Sequence, residues 1–151
     1  MFSRASAETI YRRFLSPYRA VPERMLALML EGDHHDKESL VAVADGEIVG
    51  HAMYARLGNG TEAEMAIVVE DGWQSRGVGK SLLRELAEDA RSRGVETFVG
   101  MVLPENRRML GLIDAVFTES RRVIVDDVLG FRTPLRAREP AEPIGILRSA
   151  A

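Results

Sequence analysis

The chain contains no cysteine, which excludes a disulfide framework, a thiolate nucleophile and a cysteine zinc site. It also lacks a basic excess. The formal net charge is −3, whereas a nucleic-acid binder usually carries a surplus of Lys and Arg. No apolar run approaches the length of a membrane span. The opening Met-Phe-Ser-Arg-Ala-Ser-Ala-Glu has no apolar signal core. The expectation is a cytoplasmic protein with neither a nucleic acid nor a membrane as partner. Internal repeats and low-complexity segments are absent as well.

What is present fits one globular domain. The 151 residues, 46% apolar and 28% charged, are enough to bury a real core.

The most informative segment is Glu64-Met-Ala-Ile-Val-Val-Glu-Asp-Gly-Trp-Gln-Ser-Arg-Gly-Val-Gly-Lys80. An apolar strand runs into a loop, Gln74-x-x-Gly77-x-Gly79, and a helix opens on that loop. Helix N-termini leave backbone N–H groups free, and glycines let a ligand come close, so the loop suits a pyrophosphate. The spacing is not that of a P-loop, nor of the Gly-x-Gly-x-x-Gly dinucleotide turn.

The surrounding pattern gives the order of elements. Ser6 is placed to cap a first helix with apolar pairs Ile10/Phe14 and Tyr11/Leu15, ended by Ser16-Pro17. Pro22 opens a second helix, which Gly32 stops. Asp45-Gly46 joins two apolar runs into a hairpin, and Gly58-Asn-Gly60 turns the chain into a strand over 62–69. Val78, Leu82, Leu86 and Ala90 make a helical stripe within 77–93. A strand over 95–102, a helix over 106–116 and strands over 117–125 and 128–133 complete the domain. The fold class is α/β (α+β), a mixed, mostly antiparallel central sheet flanked by helices. The expected domain spans 1–133, followed by a tail over 134–151.

Alternation along the third strand puts Glu62, Glu64, Ala66 and Val68 on one face and Met65, Ile67 and Val69 on the other. Glu64 is the candidate base, Glu62 the reserve, and Glu70 a solvated turn residue. Asn106 is a good helix N-cap. Trp73 is expected to pack the loop against the core. His34 and His35, with Asp33 and Asp36, lack metal-ligand spacing, so no metal is expected.

The strand followed by Gln74-x-x-Gly77-x-Gly79 resembles the acetyl-CoA pyrophosphate loop of the GNAT superfamily of N-acetyltransferases. The resemblance extends over about residues 6–133, because the element order also agrees. It implies acetyl-CoA as acyl donor. The backbone of Ser75, Arg76, Gly77, Val78, Gly79 and Lys80 would face the pyrophosphate, with the Gln74 amide beside it. Ile67, Val68 and Val69 would pair with the pantetheine arm like an added strand. Glu64, ten residues before Gln74, occupies the place of the family's general base, and Asn106 that of a residue near the cofactor thiol. The tyrosine that many relatives carry seven residues after this asparagine is here Ile113, so no acid is carried over.

A narrower resemblance joins Ser6-Ala-Glu-Thr-Ile-Tyr-Arg-Arg-Phe-Leu-Ser16 and Asp33-His-His-Asp-Lys-Glu-Ser-Leu-Val-Ala42 to the acetyltransferase domain of bacterial Pat-type protein lysine acetyltransferases. It implies a protein lysine as acceptor, with the acceptor site bordered by 11–24 and 33–36. A small-molecule amine, a non-catalytic acyl-CoA-binding module and a subunit acting with a partner through free sheet edges stay open. Oligomeric state and acyl chain preference also stay open.

Overall fold

The computed structural model describes residues 1–136. Helices α1 (Ala7–Phe14) and α2 (Glu23–Leu30) precede strands β1 (Lys37–Ala44), β2 (Glu47–Arg56) and β3 (Glu62–Val69). Helix α3 (Val78–Ser92), strand β4 (Thr97–Val102), helix α4 (Arg107–Val116) and strands β5 (Arg121–Val125) and β6 (Val128–Pro134) follow. The six strands form one sheet in the order β1-β2-β3-β4-β6-β5. Every neighbouring pair is antiparallel except β3 and β4, which are parallel.

Local chemistry accounts for the elements. Ser6 Oγ caps α1 by accepting from Thr9 N at 3.2 Å. Asp45 and Gly46 take φ +52° and +77°, the left-handed pair that a two-residue hairpin turn requires. Asp126 and Asp127 do the same at φ +48° and +64°. The hairpin turns therefore rest on residues that tolerate this region.

Helix α3 buries Leu82, Leu83, Leu86 and Ala90 against the sheet face that carries Ala52, Tyr54, Ala63 and Met65. Its approach is close: a Cβ on Gly50 would lie 2.9 Å from Leu82 Cδ1. Helix α4 adds Leu110 and Ile113 to the same core. Helices α1 and α2 cover the opposite face, where Arg13 reaches Met53 and the backbone of Met29 meets His51.

Several boundaries differ from the sequence expectation. β1 starts at Lys37, ahead of the apolar run Leu40–Ala44 that marks it in the sequence, directly after a turn over 33–37 in which Asp33 accepts from the N–H groups of His35, Asp36 and Lys37. Val95 is buried but belongs to the turn after α3, its N–H bonded to Ala90 O, so β4 begins at Thr97. Phe117 closes α4 and packs in the core, so β5 begins only at Arg121. At the other end β6 takes in Pro134, and Leu135 is buried with its N–H on Glu96 O. The remainder of the expected tail, from 137, lies outside the described residues.

Candidate active site

β3 and β4 run side by side only at their start. The paired residues are Glu62 with Thr97, Ala63 with Phe98 and Glu64 with Val99. Beyond Glu64 the strands part, β3 continuing to Val69 and β4 to Val102. β3 keeps β2 as partner up to Val69 opposite Gly50, and β4 keeps β6. One backbone edge of 65–69 is therefore satisfied and the other faces a cleft of about 580 Å³. Unpaired backbone groups on such an edge are ready to bond an extended ligand.

The cleft leads from this fork to the start of α3. Gly77, at φ +87°, is the N-cap of α3, and no side chain among the described residues caps the first turn. The N–H groups of that turn have no acceptor within the helix, and the helix dipole adds to their pull on an anion. The second glycine serves packing as well. A Cβ on Gly79 would lie 3.2 Å from Leu112 Cδ2 on α4.

Gln74 holds the loop in place from within. Its Nε2 donates to Val69 O at 3.0 Å and to Thr9 Oγ1 at 3.2 Å, while its Oε1 accepts from Arg108 at 2.5 Å. Thr9 Oγ1 in turn donates to Asp71, which also accepts from the Ser6 N–H and hydroxyl. One chain of hydrogen bonds thus joins α4, the glycine loop and α1. Because both amide hydrogens are engaged, Gln74 offers none to a ligand in this conformation. Burial raises Asp71's carboxyl, and the bonds from Ser6 and Thr9 outweigh that and hold it below its ordinary pKa.

Of the residues expected from the sequence, Glu64, Ile67, Val68, Val69, Gln74, Ser75, Gly77, Gly79, Lys80 and Asn106 all border the cleft. Arg76 and Val78 do not. The Arg76 guanidinium lies 5.1 Å from the Trp73 ring centroid, and Val78 packs towards the core beside Gly50. Only their backbone N–H groups lie at the helix opening. Glu64 is solvent-exposed, as a group that exchanges protons with water needs to be. Asn106 caps α4 by accepting from Met109 N at 3.2 Å. Ile113 is fully buried in the core and does not border the cleft.

Sequence reasoning expected 11–24 beside the acceptor site but singled out none of the arginines that make one side of the cleft cationic. Arg12 and Arg13 from α1, and Arg108 from α4, line it. Arg12 is paired with Glu8. No spacing rule marks these arginines, since only the docking of α1 on the sheet brings them to the fork. The 33–36 loop, expected near the acceptor site, does not border the cleft. His34 bonds Glu38 and His35 bonds Asp36 instead.

A sequence model of the acetyltransferase (GNAT) family matches residues 7–115. This chain belongs to the GNAT acetyltransferase family. It is 37% identical over 112 residues to the acetyltransferase Pat of Mycolicibacterium smegmatis, covering 72% of this chain and 33% of that protein. The chain thus spans about a third of that curated relative's length. The GNAT domain of S. lividans PAT superposes with a TM-score of 0.81 at 32% identity, covering 88% of this chain and 80% of that one. A cAMP-binding acyltransferase from Mycobacterium smegmatis gives a TM-score of 0.63 at 30% identity, covering 91% of this chain and 43% of that one. The GNAT family uses acetyl-CoA as acyl donor.

Proposed function

We propose that this GNAT domain transfers an acetyl group directly from acetyl-CoA to an amine, and that the amine is a lysine side chain of a protein. The observation that carries the reading is the fork. β3 loses β4 immediately after Glu64, and its free edge leads to the uncapped start of α3. A pyrophosphate fits the N–H groups of Gly77, Val78, Gly79 and Lys80, and an extended pantetheine arm fits the edge at Ile67, Val68 and Val69, where the Val69 carbonyl already accepts from Gln74 Nε2. The reacting thioester would then lie near Glu64.

Glu64 accepts a proton from the acceptor ammonium, directly or through a water, and the neutral amine attacks the thioester carbonyl. The CoA thiolate leaves and is protonated by solvent. A thiol of ordinary pKa, near about 8.5 by analogy with cysteine, needs no strong acid for this. That suits a cleft whose lining contains no tyrosine, histidine or cysteine. A covalent acyl-enzyme route has no support, since the chain has no cysteine and the cleft no histidine to activate a hydroxyl.

The lysine assignment is supported by the likeness to the Pat relatives. The test is thiol release from acetyl-CoA with lysine peptides and small amines, followed by mass spectrometry of candidate proteins. Acetylated lysines on a protein substrate support the reading. Release with small amines alone moves the acceptor to a small molecule. Binding without release in any mixture overturns the catalytic reading.

A further inference from the structure

We propose that Arg13 is a specificity residue that recognises a carboxylate carried close to the reacting centre, either on the acyl group or on the acceptor. The inference rests on the acyl-transfer reading above and adds a substrate class to it.

Arg13 sits at the fork. Its Nη2 lies 3.5 Å from Met53 Sδ, and its guanidinium carbon 4.9 Å from the Phe14 ring centroid. Met53 stands opposite Ala66, and Ala55 opposite Glu64. Cross-strand partners share a sheet face, as do residues two apart on a strand. Arg13 therefore lies over the face that bears Glu64, one step along the strand from it. This is where β3 leaves β4.

The guanidinium is short of partners there. Arg13 is in no ion pair among the described residues, and its Nε is buried with no acceptor. A sulfur and an aromatic ring supply its contacts. Burial pulls it down to a pKa of about 10, against a partly opposing pull from the Glu64 carboxylate. It remains charged at neutral pH. A half-buried cation with Glu64 near but no carboxylate bonded to it among the described residues is under-satisfied, and on meeting a ligand carboxylate it gains a charge-assisted bond. Its neighbour Arg12 is already neutralised by Glu8, which leaves Arg13 as the anion receptor on this helix.

The test uses the full chain and two matched pairs of ligands. The donor pair is succinyl-CoA and butyryl-CoA, equal in chain length and differing in a terminal carboxylate. The acceptor pair is a peptide with Lys beside Asp and the same peptide with Lys beside Asn, each added to protein loaded with CoA. Both pairs are read as dissociation constants by calorimetry. A protein inactive with every acceptor then overturns the acyl-transfer reading without silencing this test. The expected result is about tenfold or greater preference for the carboxylated member of one pair. Which pair responds identifies the source of the carboxylate. Arg13→Met, which keeps the apolar contacts, should reduce the preference to under about threefold, and Arg13→Lys should retain part of it. No preference in either pair, or a preference that survives in Arg13→Met, overturns the proposal. The preference of the unsubstituted protein decides even if Arg13→Met fails to fold.

Discussion

Glu64 on β3 and Val99 on β4 are the last paired residues before the two strands separate. The candidate base therefore stands at the apex of the cleft, where sheet pairing ends and ligand pairing can begin. From this placement a loss of chemistry without a loss of binding follows for Glu64→Gln. The amide keeps the shape but cannot take a proton. Turnover should fall by about a hundredfold or more, with acetyl-CoA affinity within about twofold of the parent. Rates across a pH series and calorimetry check this. Unchanged turnover at every pH would show that the base lies elsewhere.

At the other end of the cleft the prediction concerns the anion cradle. Gly77→Asp places a Cβ at φ +87°, where side chains are strained, and a negative charge beside the free N–H groups. Gly79→Asp adds charge at the same opening and a contact 3.2 Å from Leu112. Both variants should lose measurable binding of acetyl-CoA in calorimetry. Tight binding by a folded variant would remove the pyrophosphate from this loop.

Thr9 joins α1 to the loop by accepting from Gln74 and donating to Asp71. Thr9→Val leaves both partners short of a bond in a partly buried setting. Stability in urea should drop by about 1–3 kcal/mol, and affinity for acetyl-CoA should drop with it as Gln74 loosens. A variant equal to the parent in both would show the network to be incidental.

His51 gives the fold a dependence on pH. Its Nε2 lies 3.2 Å from Met29 O and 2.9 Å from Ser39 Oγ, while Nδ1 is buried without a partner. Burial, opposed by the Met29 bond and aided by nearby Arg13, holds it down at about 4 from the ordinary 6.5. A group depressed by folding contributes stability that is present in full above its unfolded pKa. That contribution is lost as the pH falls from about 6.5 towards 4. The amount is roughly 3 kcal/mol at most. Urea unfolding of the parent and of His51→Gln at several pH values isolates it, because the carboxylates titrate alike in both. The gap between the two should shrink by about 2–3 kcal/mol from pH 7 to pH 4. A constant gap contradicts the assignment.

Elements held by local chemistry were legible in the sequence. Ser6 caps α1, Asp45-Gly46 turns the first hairpin, and β3 spans 62–69 as its alternation implies. The glycine spacing that marks the loop is equally local. Boundaries set by tertiary contacts were not legible. Phe117 has the composition of a strand residue, yet the core takes it as the close of α4. Gln74 reads as a ligand donor, but Val69 and the sequence-distant Thr9 and Arg108 claim its amide. Arg13 lies 51 residues before Glu64 in the numbering, and only the packing of α1 on the sheet puts them on one face.

The proposed acyl-CoA site is the fork between β3 and β4 together with the opening of α3. Hydrogen exchange of the full chain with and without saturating acetyl-CoA tests it most directly. Protection should appear in the amides of 65–69 and 75–80, with the β1–β2 hairpin over 37–56 unchanged. Binding that leaves 65–80 unprotected, or that protects a different surface instead, would contradict the account.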